Sequence, residues 1–509
     1  MSISGTRFGN SWSGWIPQTL TKIHDDLNAK SVQLATGKIA NTNSGLGNSV
    51  YQTLDLQSRL SSSDTYSNSI ISVGTDLTAS INALSSLSDA AKATKNGPLA
   101  PINSSDPAGR SSRQTQLKSV LSSALDYVNT RGVNGYIFGG TDTSAPPALD
   151  LTTLLNGDAA TGQDGLSKLV HERQSADLGP DGLGRMAITS SGNQVTLTSP
   201  DASLPFGMSV KNVSTTFAKG SATAAGTPVS ASIDFSTGVP NSGESVTITL
   251  ALPDGTTTPL VMTAGTSNGV GAFSIGATPA DTATNFQAAL TTTLKQVANV
   301  QLFNASAEKQ ASDFFSASTT NPPQRILPGP DGSFASATAF STDKTANAAK
   351  TVCWYSGTDA NAGGDPRQDV SMLIGEGIRV GIGVRGNEQG FVGTLAALGA
   401  AAVVSTSTTD ETLANSQFTD LVSRSSAQVT TGSSDLQSIS ASLSSVQGTV
   451  KSESSNQTAY KALLQQAFDS KTSVTPEQAA AELSALQTQL QVAYQVTSRL
   501  MKMSLADYL

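Results

Sequence analysis

The sequence predicts an α+β protein whose long N- and C-terminal helices pair in a coiled-coil-like bundle, with a β-rich insert between them. Three observations support this fold class. Apolar residues recur at three-four spacing near both ends, which is the spacing of an amphipathic helix. The centre is rich in Gly, Pro, Thr and Ser and contains short alternating runs, which are typical of strands. Long helical patterns return after the centre, so the predicted order is helices, strands, helices.

The two terminal helices each carry one apolar stripe. Lys30 interrupts the first stripe, and the second follows the helix-start signal Thr475-Pro476-Glu477-Gln478. The stripe residues are Ile16, Leu20, Ile23, Leu27 and Leu34 at the start, and Leu483, Leu486, Leu490, Ala493, Thr497 and Leu500 at the end. A narrow stripe needs a long helical partner, so we expect the terminal helices to pair and to form an assembly interface. Leu505, Tyr508 and Leu509 are expected to pack at the tip of the last helix.

Further helices flank the centre. The Gly/Asn/Ser-rich segment TGKIANTNSGLGNS predicts a loop after the first stripe. A helical pattern resumes at Val50 and ends at Asn96-Gly97-Pro98, because Gly and Pro both break helices. Another helical pattern ends at Gly132, and a long one begins near residue 411.

Within the centre, Val246, Ile248, Leu250 and Leu252 alternate strictly and predict a strand. The turn Pro253-Asp254-Gly255 follows, and alternation then resumes, so we expect a hairpin. Thr278-Pro279-Ala280-Asp281 predicts a capped helix start, and residues 321–332 predict a connecting loop.

These patterns divide the chain into three parts. Residues 1–45 and 470–509 form the predicted inner assembly domain. Residues 46–140 and 350–469 form a helical core domain with a short β segment. Residues 141–349 form a β-rich insert that is expected to project outward into solvent.

Composition excludes several classes of function. Charged residues are only 13% of the 509, the net charge is -8, and no basic patch exists, so nucleic-acid binding is not supported. The longest apolar run, residues 391–404, is too short to span a bilayer, which argues against membrane insertion. The N-terminus does not have the form of a usual secretory signal. The single cysteine, Cys353, excludes a disulfide framework within the chain and is expected to be a small buried hydrophobe.

The chain also lacks a sequence pattern for catalysis. Its two histidines, His24 and His171, form no metal-ligand cluster with Cys353 and support no catalytic triad. Asp359, Asn361 and Asp365 are reminiscent of a calcium loop, but the expected glutamate at its twelfth position is absent, so a polar turn is predicted. We therefore predict no enzyme activity and no catalytic, cofactor or metal site.

A glycine motif at residues 381–386 leaves one alternative open. Its pattern matches G-x-G-x-x-G, which binds dinucleotides when the glycines form a turn after a strand. Here Ile378, Val380, Ile382 and Val384 alternate through the motif, so the glycines are predicted as strand positions. No acidic residue follows at the distance of the ribose contact. An enzyme with a nucleotide site remains a less favoured hypothesis.

Four segments resemble the flagellin superfamily of bacterial flagella, and within it the hook–filament junction branch of hook-associated proteins. They are QLATGKI (33–39), NGYIFGGT (134–141), IGVRGNEQGF (382–391) and SLADYL (504–509). The second and fourth segments are more similar to the junction branch than to flagellin. The resemblance covers roughly the outer 140 and 160 residues. The family's Asp-rich turn after Thr-Gly-Lys is replaced here by NTNSGLGNS.

The resemblance implies a structural subunit of the flagellum that joins hook-associated proteins to the flagellin filament and is needed for motility. The implied partners are further copies of the chain in a ring, a hook-side hook-associated protein, flagellin and a flagellar export chaperone. It implies type III flagellar export without a cleaved signal peptide, and an extracellular location. The lean terminal helices suggest that residues 1 to about 40 and 470–509 become ordered on assembly. The alternatives are flagellin itself, a secreted adhesin and an ordinary intramolecular bundle.

Overall fold

The computed structural model describes residues 12–101, 106–359 and 364–506. These residues form two compact units. The terminal unit comprises residues 12–71, 373–378 and 450–506, and the central unit comprises the remaining described residues. The three-part division predicted from the sequence uses other boundaries and stays a prediction.

The fold is mixed α+β, as predicted. Its described helices are α1 (Trp12–Thr36), α2 (Val50–Thr94), α3 (Pro107–Val128), α4 (Leu151–Asn156), α5 (Leu166–Leu178), α6 (Pro279–Val297), α7 (Phe303–Phe315), α8 (Lys344–Lys350), α9 (Pro366–Asp369), α10 (Gln389–Val403), α11 (Glu411–Thr472) and α12 (Pro476–Ala506). A short 3-10 helix occupies Asn43–Ser49, and π-helical turns at Ala298–Leu302 connect α6 to α7. In the described part of the chain, no helix is both long and apolar enough to cross a membrane.

The described strands lie between α3 and α10 along the chain. They are β1 (Arg131–Gly132), β2 (Gly135–Tyr136), β3 (Gly157–Asp158), β4 (Gln163–Asp164), β5 (Ala187–Ser191), β6 (Gln194–Thr198), β7 (Ser209–Thr215), β8 (Ser221–Ala225), β9 (Ser230–Asp234), β10 (Ser245–Ala251), β11 (Thr257–Gly265), β12 (Ala272–Ser274), β13 (Ile326–Leu327), β14 (Ala339–Phe340), β15 (Ser371–Gly375) and β16 (Ile378–Gly381). Two four-stranded sheets dominate, with strand orders β5-β6-β9-β8 and β12-β11-β10-β7. The insert also contains α4 to α8, so it is mixed in structure.

The predicted hairpin is confirmed. Strands β10 and β11 are antiparallel, with Val246 opposite Met262 and Ile248 opposite Leu260. These four side chains are buried, because alternation places them on the face that packs into the core. Helix α6 covers that core and brings Phe286 to within 5.1 Å of the Phe273 ring, measured between centroids.

The predicted start of α6 is also confirmed. The Thr278 side chain accepts from the Asp281 backbone N–H, and the Asp281 carboxylate accepts from the Thr278 backbone N–H. Pro279 follows Thr278 at the first position of the helix. The reciprocal bonds satisfy two backbone donors that would otherwise lack partners.

The long helices α2 and α11 run antiparallel. Within the terminal unit, the Ser63 hydroxyl donates to the Gln457 side-chain oxygen at 3.2 Å, and Lys461 pairs with Asp64. Within the central unit, the Lys95 ammonium donates to the Thr430 hydroxyl at 2.9 Å. The pairing follows from the three-four apolar rows on both helices.

Two sequence predictions need local correction. The segment 321–332 is not entirely loop, because β13 (Ile326–Leu327) pairs with β14. Of the glycines at 381–386, only Gly381 lies in a strand, since β16 ends there. Gly383 leaves the strand where its backbone N–H donates to the Arg367 carbonyl at 3.3 Å.

Candidate assembly interface

Helices α1 and α12 pack against each other within the terminal unit, as the two apolar stripes predict. Leu20, Ile23 and Leu27 on α1 are only partly buried. The facing row of α12 is also partly buried, and it comprises Leu483, Leu486, Leu490, Ala493 and Thr497. Two helices alone cannot enclose a seam, because each partner covers only one side of an apolar row. The pair therefore keeps part of both stripes exposed.

The interruption of the first stripe by Lys30 has a structural role. The Lys30 ammonium forms an ion pair with Glu482 on α12 and donates to the Gln33 side-chain oxygen at 3.0 Å. The hydrogen bond and charge of Lys30 lower the pKa of the Glu482 carboxyl. Both side chains of the ion pair are partly exposed, so the pair adds little stability. The ion pair links one position on α1 to one position on α12, so it can still fix the register of the two helices.

A second set of contacts ties the ends of these helices together. Gly37 ends α1 with a φ of +68°, a backbone conformation that favours glycine. Its carbonyl accepts from the Val474 backbone N–H at 2.9 Å, and the Ile39 N–H donates to the Thr472 carbonyl at 2.7 Å. The segment QLATGKI thus joins α1 to the turn between α11 and α12.

An apolar groove of about 490 Å³ lies between α1 and α12. It is lined by the predicted residues Leu20 and Ile23, and also by residues that the stripe analysis omits. Trp15 is 65% exposed, Val492 is 53% exposed and Val496 is 50% exposed. Val492 and Val496 are four residues apart and lie beside the predicted α12 stripe, so a search for a second apolar row would find them. The exposed apolar surface of the α1–α12 pair is therefore wider than the predicted stripes.

The remaining predicted interface residues fall in three groups. Leu34 is 37% exposed on the last turn of α1. Ile16 belongs to α1, and Leu500 and Leu505 belong to α12, but their side chains lie outside the described part of the structure. Tyr508 and Leu509 lie outside the described residues altogether. Their predicted packing at the helix tip stays a prediction.

Residues 134–141 and 382–391, two further segments of the predicted family resemblance, meet in the central unit. The Gly386 backbone N–H donates to the Phe138 carbonyl at 2.8 Å, and the Phe138 and Phe391 rings pack edge to face at 5.3 Å. The buried Tyr355 hydroxyl also donates to the Phe138 carbonyl, at 2.7 Å. Residues 134–141 and 382–391 therefore contribute to one part of the core through Phe138, Gly386 and Phe391.

The same packing opposes the nucleotide hypothesis. A Cβ atom added at Gly381 would lie 2.2 Å from the Arg367 carbonyl oxygen, and one added at Gly383 would lie 2.2 Å from the Pro366 carbonyl oxygen. Backbone from residues 366–367 thus fills the space beside these glycines. A dinucleotide phosphate would need that space for its approach to the glycine backbone.

The described aspartates of the calcium-like segment form hydrogen bonds within the fold. Asp365 caps α9 by accepting from the Arg367 backbone N–H at 2.9 Å. Asp359 accepts from the Ser318 hydroxyl at 2.7 Å. Asn361, the third residue of the calcium-like segment, lies outside the described residues. Among the residues that the structure describes, no three His, Cys, Asp or Glu side chains are grouped as metal ligands.

Cys353 and the histidines also have ordinary surroundings. Cys353 is half-buried, so it is less buried than the small buried hydrophobe that the sequence suggests. Its thiol donates to the Tyr355 carbonyl at 3.3 Å, and burial raises the pKa of the thiol. A raised pKa reduces the thiolate that a nucleophile requires. His24 on α1 and His171 on α5 are exposed.

No protein-family model matches this chain, and no curated protein matches it in a sequence search.

Proposed function

We propose that this chain is a structural subunit of the bacterial flagellum, without enzyme activity, that joins hook-associated proteins to the flagellin filament. The observation that carries the proposal is the α1–α12 pair, whose facing stripes are only partly buried. An isolated pair of this kind is marginal in water, because little apolar area is removed from solvent. Neighbouring copies that cover the groove would remove the exposed Trp15, Val492 and Val496 side chains from water.

The proposed assembly is a homo-oligomeric ring held by helix packing of the chain termini. Its other proposed partners are a hook-side hook-associated protein on one side and flagellin on the other. A flagellar export chaperone would cover the apolar terminal helices before export. The proposed location is extracellular, after flagellar type III export without a cleaved signal peptide.

The location can be tested by immunogold electron microscopy of sheared, purified flagella, with antibody against residues 141–349. Gold confined to the joint between hook and filament would support the proposed junction subunit. Gold along the whole filament would instead make the chain a flagellin, which has the same paired-helix architecture in this hypothesis. An absence of gold from the purified flagella would reject both the junction subunit and the flagellin.

The interface itself can be tested by placing a charge in the groove. Val496→Asp changes a side chain that is 50% exposed in the single chain, so the fold should tolerate it. In an assembly the carboxylate would be buried without a partner, which is costly. We expect normal export and monomer stability, but loss of incorporation into flagella.

Leu490→Asp should have the same effect on incorporation, and it also weakens the α1–α12 pair because Leu490 is partly buried there. Gln487→Asp is the matched control, since Gln487 is exposed on the same helix and does not line the groove. Normal, motile filaments that carry the Val496 or Leu490 variant would contradict the proposed interface.

A further inference from the structure

A polar cleft in the central unit has unused hydrogen-bonding groups. It has a volume of about 630 Å³ and lies where α5 and α7 meet the loops at 200–209 and 316–324. This volume falls within the usual range for small-molecule sites. All residues that line the cleft belong to the central unit.

Arg173 is a buried charged residue in the lining of the cleft. The residue is 3% exposed, and its Nε donates to the Asp177 carboxylate at 2.6 Å. Its Nη1 is 4.0 Å from the nearest Asp313 oxygen, which is too long for a hydrogen bond. The described residues provide no hydrogen-bond acceptor for either terminal nitrogen. A guanidinium has five N–H donors, so most of this buried group's donors are available to a ligand.

The position of this guanidinium is fixed by its neighbours. The Arg173 Cζ lies 5.6 Å from the centroid of Phe206 and 5.5 Å from that of Phe340. Asp177 is fully buried and also accepts from the Gly207 backbone N–H at 2.9 Å. Asp177 and the two aromatic rings restrict the Arg173 side chain to one position. Its free N–H donors therefore have a defined direction before any ligand binds.

Gln310 on α7 supplies a second unused group. It lines the cleft and is 3% exposed, and the described chain provides no hydrogen-bond partner for its amide. A buried amide without a partner costs free energy, whereas an amide that meets a ligand regains its hydrogen bonds. Gln310 offers both a donor and an acceptor.

The charged groups at the cleft give it no net positive charge. Arg173 faces Asp177, and Lys309 pairs with Asp313 four residues later on α7. The additional carboxylate of Asp201 accepts from the Ser203 backbone N–H at 2.8 Å. The site therefore offers no net positive field to an anion. Its apolar wall is formed by Phe206, Phe340, Pro322, Pro323 and Leu204.

We propose that this cleft binds a neutral carbohydrate. A sugar presents hydroxyl and ring oxygens to the free donors of Arg173 and to the amide of Gln310. Its C–H faces suit the aromatic and proline wall, and it brings no charge into a site that has no net positive charge. A lipid would leave the polar groups unpaired, and an acidic sugar would meet the uncompensated Asp201.

The test is isothermal titration of the full-length chain with maltotriose, cellotriose, N,N′-diacetylchitobiose and lactose, beside the acidic trisaccharide sialyllactose. We expect at least one neutral sugar to bind and sialyllactose to bind more weakly. Gln310→Leu should weaken the neutral sugar about tenfold or more, because it keeps the side-chain size and removes the amide. The exposed Gln116→Leu on α3 is the matched control and should bind normally.

Arg173→Met should also reduce binding, but it leaves Asp177 buried without its partner and can unfold the unit. Gln310→Leu avoids this problem because Gln310 belongs to no ion pair. Circular dichroism of each variant separates loss of binding from loss of fold. The proposal is overturned if no neutral sugar in the set binds, if sialyllactose is preferred, or if folded Gln310→Leu binds as tightly as the parent chain.

Discussion

Replacing Glu308 by glutamine is expected to remove a loss of stability that the parent chain suffers as pH rises from about 6 to about 9. Glu308 is 1% exposed on α7. Its carboxyl oxygens accept from the Gln428 amide at 3.2 Å and from the Ser425 hydroxyl at 3.4 Å. Burial is the main reason that the pKa of this carboxyl rises from 4.5 to about 8.

The nearest cation does not correct this shift, because it already has two partners. Arg424 donates to Asp254 at 2.7 Å and to Asp420 at 2.8 Å. The positive charge of Arg424 lowers the pKa of Glu308, while the two aspartates raise it. Glu308 is therefore a buried acid whose potential counter-ion is neutralised by other carboxylates, and it stays protonated at neutral pH.

The direction of the pH dependence follows from proton binding. The folded-state pKa of Glu308 lies above its unfolded value, so the folded chain binds the extra proton between these values. Its contribution to stability is fully present below the unfolded pKa of about 4.5 and is lost as pH rises through about 8. At about 1.4 kcal/mol per pH unit, the loss between about pH 6 and pH 9 is roughly 3 kcal/mol.

The assay is urea unfolding at several pH values, followed by the fluorescence of the buried Trp354, which lies in the same compact unit. The parent chain should lose the predicted stability between about pH 6 and pH 9, and Glu308→Gln should have a flatter profile because an amide does not titrate. Asp126→Asn, at an exposed position on α3, is the control and should follow the parent profile. Equal slopes for the parent and Glu308→Gln would refute the reasoning.

Two further substitutions test the packing. Gly432→Ala should destabilise the central unit by about 1–3 kcal/mol, since its Cβ would lie 2.7 Å from the Thr394 backbone nitrogen. Gly448→Ala, also on α11 but with open space around its Cβ, should stabilise the helix by up to about 1 kcal/mol. Urea unfolding measures both variants. Equal effects on the free energy of unfolding would contradict the close packing of Gly432 against Thr394. Thr278→Ala should cost about 1 kcal/mol by removing the reciprocal cap with Asp281, measured by thermal unfolding, whereas an unchanged melting temperature would deny that the cap contributes.

Local sequence patterns predict much of the helix and strand order. The capping box at Thr278 and Asp281 acts within one turn, so neighbouring residues contain the whole signal. Alternation at Val246, Ile248 and Leu250 likewise fixes a strand and its buried face before its partner is known. The terminal stripes predict the pairing of α1 with α12 for the same reason, because helical periodicity requires a partner along one face.

The same local patterns do not predict where non-adjacent segments meet. The alternation through residues 378–384 suggests a longer strand than exists, since contacts with Pro366 and Arg367 end β16 at Gly381. The groove at Trp15, Val492 and Val496 also needs two helices to exist. These residues are exposed because the partner helix does not cover them. Periodicity within one helix does not predict how much of its surface the partner covers.

The sequence by itself determined the amphipathic terminal helices, the helix starts at Thr278 and Thr475, and the central hairpin, because these depend on spacing within a few residues. Only the tertiary structure decided that Arg173 and Gln310 share one cleft with Phe340, and that Glu308 is buried beside an Arg424 already neutralised by two aspartates. Burial and hydrogen-bond satisfaction are set by side chains more than a hundred positions away in the chain. Such properties arise when the chain closes on itself, since desolvation depends on every neighbour that excludes water.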